Sequence, residues 1–532
     1  MKKAVKRSIN LLLLAGLLAS SMAGCGSKKV AETVSDKQEA TFNSTGLPIV
    51  NKKATLSVLT TRWGSMGDSF TKNKWVKDLE TNTNVKIKWE VQSLNDWATQ
   101  KSVLLASGDL PDVILGNQTF SDSDIIGNQG LFVAVDDLAK KYMPNYTEAL
   151  NKLPELKKME TFPDGKMYSF GKNLPSRPQT EYQPVINKVW LDKLGLKAPT
   201  TLDELYNVLL AFKTKDPNGN GKADEIPITD FTINLLNPFG ITDLNVNSMM
   251  INDGSPVYYP TSNQYKDGVK WLQKLYAAGI IDREMFTQDN TMITSKKQDP
   301  KAARVGFTYA WTPDATFGTW SSQYQAIAPI KGTDGKQYAP GDTNGVFSIQ
   351  RNEALITAGC KTPEVAARWL DQFYTGEASI QNFWGAEGTV ITKNSNDTFS
   401  LNNPPEGTSA DAWYWDQSLR DFGPKYISAD FQKKIALSPK SGDGLKVELS
   451  KLGDAYVTTP FPNVMYTVEE NQEIPTLTTD IDTYVGQMRA QWITKGGIDA
   501  GWDAYVKKLN NMGLDKLVKI RTDAYSRYKS IK

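Results

Sequence analysis

The chain has 532 residues, with 61 Lys and Arg against 59 Asp and Glu, a formal net charge of +2 and a hydrophobic fraction of 40%. Charge this balanced, spread along the sequence, leaves no basic footprint for DNA or RNA and excludes nucleic acid as a partner. Histidine is absent and cysteine occurs only at Cys25 and Cys360, which removes Ser-His-Asp and Cys-His catalysis, His-ligated metals and Cys-rich sites, and leaves carboxylate, Lys or Tyr chemistry or an oxygen-ligated metal.

Lys2, Lys3, Lys6 and Arg7 precede an apolar run from Leu11 to Leu18, and small residues lead to Cys25, which is the order of a secretory signal. The run is too short for a hydrocarbon core that needs about 20 residues, and no later stretch approaches that length, so no transmembrane helix is expected in the mature chain. Met22-Ala23-Gly24-Cys25 resembles the bacterial lipobox, with Met22 where Leu is usual; an ordinary cleavage site beside an incidental Cys is the competing reading. Residues 1–24 are accordingly assigned to a lipoprotein signal peptide, and Cys25 to lipidation at the outer face of the cell membrane. Residues 25–53, rich in Lys, Ser, Thr and Glu, are assigned to a flexible tether. Cleavage before Cys25 leaves 532 − 24 = 508 residues, the length of two or three compact units.

Beyond the tether, strand-like and helix-like segments alternate. Leu56-Ser57-Val58-Leu59 reads as a first strand and Val85–Val91, alternating polar and apolar, as a second; Trp75 and Leu79 share a helix face between them. A helix from about Asp96 stops near Gly108, Pro111 breaks the chain, and Val113-Ile114-Leu115 forms a short buried strand. This β-α-β rhythm predicts a largely parallel sheet covered by helices. It restarts around Trp190, where Thr201 and Glu204 form a capping box ahead of Leu205 and Leu209, and a further helix carries Trp271, Leu272 and Leu275 to Gly279. Strand-like Val305–Tyr309 and Ala326–Ala328 follow, then a helix from Thr362-Pro363-Glu364 carrying Val365, Trp369 and Phe373. Tyr484, Met488 and Trp492, at i, i+4 and i+8, belong to a helical C-terminal third. No repeat of fixed period is found, and the pattern predicts two α/β lobes with a helical tail.

Four stretches carry a family resemblance: Ala106-Ser107-Gly108-Asp109-Leu110-Pro111-Asp112-Val113; Trp190-Leu191-Asp192-Lys193-Leu194-Gly195 leading to Pro199-Thr200-Thr201; the acidic loop Asp216 to Pro227; and Gly501-Trp502-Asp503-Ala504-Tyr505. In this order, and with the lipobox, they resemble the extracellular solute-binding proteins of the family-one, maltose-binding type, in the long lipoprotein branch similar to alginate-oligosaccharide-binding receptors. The resemblance implies a type II periplasmic-binding-protein-like α/β fold of two lobes, each a mainly parallel sheet flanked by helices. By analogy residues 54–172 and 341–398 would form lobe one, and 173–340 and 399–532 lobe two with the C-terminal helices. It also implies a monomer that captures a carbohydrate in the inter-lobe cleft and hands it to ABC permease subunits. The chain itself has no Walker-type Gly-Lys-Ser/Thr motif.

Asp216, Asn218, Asn220 and Asp224 place oxygen donors at positions 1, 3, 5 and 9 of an EF-hand-like loop, with Gly221 at position 6 and the Lys222 carbonyl at position 7. Position 12 is Pro227, so Glu225 is the candidate replacement for the usual bidentate Glu. Calcium is the expected ion, in a structural role, and shortened loops of this kind occur in the alginate-receptor branch; a plain polar Asn-Gly turn is the alternative. Sugars present apolar faces ringed by hydroxyls, which flat aromatic rings and polar side chains match. The chain's 14 Trp, 21 Tyr and 19 Phe exceed what any cleft requires, so packing is the default for any one ring. Trp63 in Arg62-Trp63-Gly64-Ser65, Trp311 after Tyr309-Ala310, Trp384 before Gly385-Ala386-Glu387-Gly388, and Trp415 in Trp413-Tyr414-Trp415 lie in the polar, turn-rich surroundings where an open α/β fold places its cleft. The resemblance adds that the Trp311 position often stacks on sugar. Trp75, Trp271 and Trp369 share helix faces with aliphatics and read as core. Two other functions share this sequence evidence: an extracellular carbohydrate-active enzyme using paired carboxylates, and a surface sugar sensor or adhesin without a transport role.

Overall fold

The computed structural model describes residues 42–62, 67–116, 119–174, 180, 182–242, 247–341, 348–408, 410–437 and 442–531. The signal segment, Cys25 and Trp63 lie outside the described residues. The folded body starts earlier than the tether assignment placed it. Phe42 pairs with Val50, the Ile49 amide donates to the Thr83 carbonyl at 2.9 Å, and Ile49 and Val50 are buried in the first core. Phe42 packs on the same core, edge-on to Tyr142.

The strand Ala54–Arg62 is buried over its last five residues, as a central strand covered on both faces must be. It runs parallel to Val85–Ser93 on one side and to Val113–Leu115 on the other, with Leu56 opposite Ile87 and Val58 opposite Val113. The full six-stranded order is 425–426, 169–173, 349–356, 113–115, 54–62, 85–93. Ile349–Ile356 is antiparallel to both neighbours, whereas Lys425–Tyr426 is parallel to Ser169–Asn173. The helix Lys74–Thr83 turns Trp75 and Val76 onto this sheet and ends at Asn84 with φ 57°. The helix Trp97–Ser107 ends at Gly108 with φ 70°, a left-handed cap that glycine adopts without strain.

The second sheet has three strands, with Gln183–Asn187 between Phe307–Ala310 and Tyr324–Ala326 and antiparallel to both. The expectation of a mainly parallel sheet therefore holds for the first sheet and not for this one. Asn187 caps the helix Lys188–Leu194 directly after its strand, which looks like the start of a β-α-β unit. The chain then makes a long helical excursion and returns in the opposite sense, which antiparallel pairing permits without a crossover. The helix Leu202–Thr214 is capped by Thr201, whose Oγ1 accepts from Glu204 N at 3.3 Å, while the Glu204 carboxylate reaches back to Thr200 N at 2.7 Å. Trp190, Leu205, Leu209, Phe212, Leu272 and Leu275 fill the core beside this sheet, together with Trp492, Trp502 and Tyr505 of the C-terminal helices. Those helices are Val468–Lys495, Ile498–Asn511 and Leu514–Ser530.

The stretch 399–437, grouped by sequence with the second lobe, has its partners on the first sheet's side. Lys425–Tyr426 is an edge strand there, and Phe399, Trp413, Tyr414, Ile427 and Ile435 share a core cluster with Leu174, Phe383 and Trp384. Arg351 ties strand 349–356 to two other segments. Its Nε donates to Asp122 at 2.8 Å and its Nη1 to the Asn463 carbonyl at 2.6 Å, while Asn352 Nδ2 donates to the same Asp122 at 2.6 Å. Burial alone would raise the Asp122 carboxyl; Arg351 and Asn352 outweigh it and hold that carboxyl below its ordinary range.

Candidate functional site

In an open α/β sheet the ligand crevice lies beyond the carboxyl ends of the parallel strands. In the first sheet those ends are Arg62, Ser93 and Leu115-Gly116. Gly116 has φ 94°, and a Cβ there would stand 2.7 Å from the Phe422 ring, so glycine is required for Phe422 to sit against the strand end. Trp415 lies edge-on to Phe422, with ring centroids 6.0 Å apart.

The segment 415–424, which carries both rings, is largely irregular, and its backbone carbonyls are captured by side chains. Arg62 donates to the Trp415 carbonyl and, at 2.8 Å, to that of Ser418. Asn73 Nδ2 takes the Asp416 carbonyl at 3.1 Å and Trp75 Nε1 that of Gln417 at 3.0 Å. Lys172 Nζ reaches the Asp421 carbonyl at 2.5 Å, and Lys425 Nζ reaches those of Phe422 and Gly423 at 2.6 and 2.7 Å. Asn382 Nδ2 holds Pro424 at 2.9 Å. Arg62, Lys172, Lys425 and Asn382 are all buried. Lys172 also pairs with the buried Glu353 at 2.7 Å. Burial, with Lys172 beside it, pushes the Lys425 ammonium well below its ordinary pKa; burial raises Glu353, and lowers Arg62 to about 10, still charged at neutral pH.

The second sheet contributes Trp311, at the carboxyl end of Phe307–Ala310 and half-buried. The Lys446 ammonium lies 4.6 Å from the Trp311 ring centroid. Lys446 belongs to the helix Gly442–Ser450, whose Asp443 accepts from Arg420 Nη2 at 3.0 and 2.8 Å and from Trp384 Nε1 at 3.1 Å. This one helix therefore touches Trp311 from the second sheet and Arg420 and Trp384 from the first.

Of the four expected rings, Trp311 and Trp415 are half-buried at strand carboxyl ends, and Trp63 lies outside the described residues. Trp384 is a correction: it is 0% exposed, edge-on to Phe383 at 4.8 Å, and packed in a core cluster, so it offers no face to a ligand in this structure. The glycine-rich stretch after it marks the end of the helix Gly376–Trp384 and says nothing of which way the ring turns. The sequence reading missed Arg62, Arg420, Asp443 and Lys446. Of these only Arg62 left a signal, as the charged end of an otherwise uncharged strand. A cavity of about 540 Å³ lies between the helices Lys74–Thr83 and Gly376–Trp384, lined by Trp75, Asp78, Asn82 and Gln381; of the described rings among the four, Trp311, Trp384 and Trp415, none lines it.

The acidic loop folds around its own oxygens. Asp216, at φ 43°, accepts from the amides of Gly219, Asn220 and Gly221 at 3.1, 3.2 and 3.0 Å. Asn218 Oδ1 accepts from Asn220 N at 3.0 Å, and Asn218 Nδ2 donates to Asp224 at 2.9 Å. Glu225 is 1% exposed, its Oε2 has no hydrogen-bond partner, and burial with Asp216 and Asp224 nearby raises its pKa. Among the described residues no three carboxylate, thiol or imidazole groups converge on one point. A cation here would depend on the Asn218 and Asn220 amide oxygens and the Lys222 carbonyl as well as on Asp216, Asp224 and Glu225.

A family model described as bacterial extracellular solute-binding protein matches residues 63–381. The chain is 33% identical over 536 residues, 96% of each chain, to the fructooligosaccharide ABC transporter substrate-binding protein FusA of Streptococcus pneumoniae serotype 4. Solved structures of the S. pneumoniae protein resemble it over 90% of this chain and 100% of theirs. The complex with kestose has TM-score 0.77 at 30% identity, and an EF-hand mutant with fructo-nystose has 0.76 at 29%. An HMO binding ABC-transporter associated solute binding protein from Bifidobacterium longum infantis has TM-score 0.79 at 29% identity, covering 90% of this chain and 99% of that one.

The packing separates two tryptophans that look alike in sequence. Trp384→Ala is expected to cost about 3–5 kcal/mol of stability, read as a lower midpoint in urea unfolding, while the half-buried Trp415→Ala costs clearly less. Equal losses would contradict the assignment of Trp384 to the core.

Proposed function

This chain belongs to the bacterial extracellular solute-binding protein family, and on that footing we propose that it is the oligosaccharide receptor of an ABC importer, with the fold of type II periplasmic-binding-protein-like receptors. The observation that carries this reading is the placement of two half-buried rings, Trp415 beside Arg62 at the carboxyl end of strand Ala54–Arg62 and Trp311 directly after strand Phe307–Ala310, in a chain similar along nearly its whole length to a fructooligosaccharide receptor. Each sheet offers half a site, so a sugar touching both rings favours the closed arrangement by its differential affinity. The relatives are binding proteins, and no catalytic step is assigned to this chain. Permease and ATPase subunits would be separate chains, and the receptor would work as a monomer.

The core clusters support lobes somewhat different from those drawn on the sequence: one around the six-stranded sheet, including 42–53 and 399–437, and one around the three-stranded sheet with the C-terminal helices. Cys25 would carry the lipid, on the strength of Met22-Ala23-Gly24-Cys25 after its apolar run. Cys25→Ala should release the chain from the membrane or leave it unprocessed, as read by fractionation and intact mass; a variant still cut and still membrane-bound rules the anchor out.

The residues of the acidic loop fit a calcium ion. The buried, unpartnered Glu225 Oε2, whose pKa is raised by burial and by Asp216 and Asp224 in the same loop, is what a divalent cation would relieve. Bound there, calcium would neutralise the loop. Asp216, Asp224, Glu225, Asn218 and Asn220 would supply side-chain oxygens, and Lys222 its carbonyl. Chelation should lower the melting temperature of the purified protein, and Asp216→Ala with Asp224→Ala should abolish that sensitivity. A melting curve that EGTA does not move excludes the ion.

For the cleft itself, calorimetry with kestose, nystose and neutral gluco-oligosaccharides should give one-to-one binding by at least one of them, without product formation. Trp311→Ala and Trp415→Ala should each weaken it roughly ten- to hundredfold. Turnover of any of these sugars would instead identify an enzyme.

A further inference from the structure

We propose that Arg62 is the positioning residue for Trp415, fixing that ring at the mouth of the first sheet through its backbone; this rests on the reading of Trp415 as a ligand-stacking ring. Arg62 ends an inner strand of the six-stranded sheet and is 1% exposed. Its two terminal nitrogens are spent on two carbonyls at the end of the helix Ala410–Gln417, those of Trp415 and Ser418. A cation at those carbonyls suits the negative end of a helix. The guanidinium also lies 5.4 Å from the Trp415 ring centroid and 4.6 Å from that of Phe70, itself 0% exposed. One side chain thus holds the carbonyl of Trp415 and lies over its ring, leaving the remainder of a half-buried indole to meet a ligand.

Only a planar fork reaches two carbonyls three residues apart while lying over a ring; an ammonium is a single point with a different hydration demand. The charge is balanced nearby by Asp416 and Asp421, so Arg62 does not require an anionic ligand to neutralise it. Arg62 need not touch the sugar; it determines where the ring that touches it stands.

The test uses the mature chain labelled with 5-fluorotryptophan, the Trp415 resonance being assigned by its loss in Trp415→Phe. Without any sugar, Arg62→Lys should shift and broaden the Trp415 line, and Arg62→Gln, whose amide ends short of the position of the Arg62 terminal nitrogens and reaches neither carbonyl, should do so more. With kestose as the probe, Arg62→Lys should weaken binding about tenfold, and should have no further effect once Trp415 is Ala. A Trp415 line superimposable on that of the parent in both variants overturns the proposal, whichever sugar the cleft takes. So does an equal affinity loss with and without the Trp415 ring. Full kestose affinity in Trp415→Ala, beside a loss in Trp311→Ala, would refute Trp415 as a ligand ring and its positioning by Arg62 together, while leaving the carbohydrate receptor standing.

Discussion

The arrangement depends on one demand of backbone chemistry: a buried carbonyl outside regular structure has to find a donor. Segment 415–424 passes over the carboxyl edge of the first sheet without pairing to it until Lys425, and the side chains of Arg62, Asn73, Trp75, Lys172, Asn382 and Lys425 supply what a strand neighbour would have supplied. Leaving one such group unpaired costs about 1–3 kcal/mol. The segment therefore has little freedom to re-route, and Phe422 and Trp415 inherit that rigidity. A binding surface held this firmly is preorganised, which lowers the entropic cost of any binding it takes part in.

The same donors place several charges where water does not reach. Lys172, Glu353 and Lys425 are within 2% of full burial, and burial drives Lys425 and Glu353 toward their neutral forms. Buried ion pairs seldom add net stability over a well-packed apolar alternative. Carbonyl capture explains their presence better: an apolar residue at 172 or 425 would leave the Asp421, Phe422 and Gly423 carbonyls without these donors. These buried amines trade desolvation for a defined path of the chain.

This also separates what was legible in the sequence from what was not. Leu56–Leu59, Val85–Val91 and Val113–Leu115 were readable because alternation and apolar runs are local, and all three are strands of the first sheet. The acidic loop stands out for the same reason, since its oxygen-bearing side chains follow one another along the chain. Lys425–Tyr426 was not: a two-residue strand has no periodicity, and its partner lies some 250 residues away. Strand direction in the second sheet was hidden because periodicity carries no information about sense. Trp384 and Trp415 sit in equally turn-rich sequence, yet one ring turns into the core and the other stays half-exposed. What distinguishes them is Asp443 in one case and Arg62 in the other, both distant along the chain.

The helix Gly442–Ser450 brings the two sheets' contributions into relation, and the strengths of two of its contacts rank how they respond to separation. Towards the first sheet it holds the buried pair Arg420–Asp443, which Trp384 also joins; removing one partner from such a pair costs about 3–5 kcal/mol. Towards the second sheet it offers Lys446 over Trp311, a cation–π contact of about 2 kcal/mol when desolvated and less when water enters. Of these two, the cation–π contact is the weaker, so they hold the helix more firmly to Arg420 than to Trp311. Lys446 is itself 0% exposed, so a group that displaced it from the Trp311 face would have to bring water to a buried ammonium, and that cost belongs to any contact made with this ring.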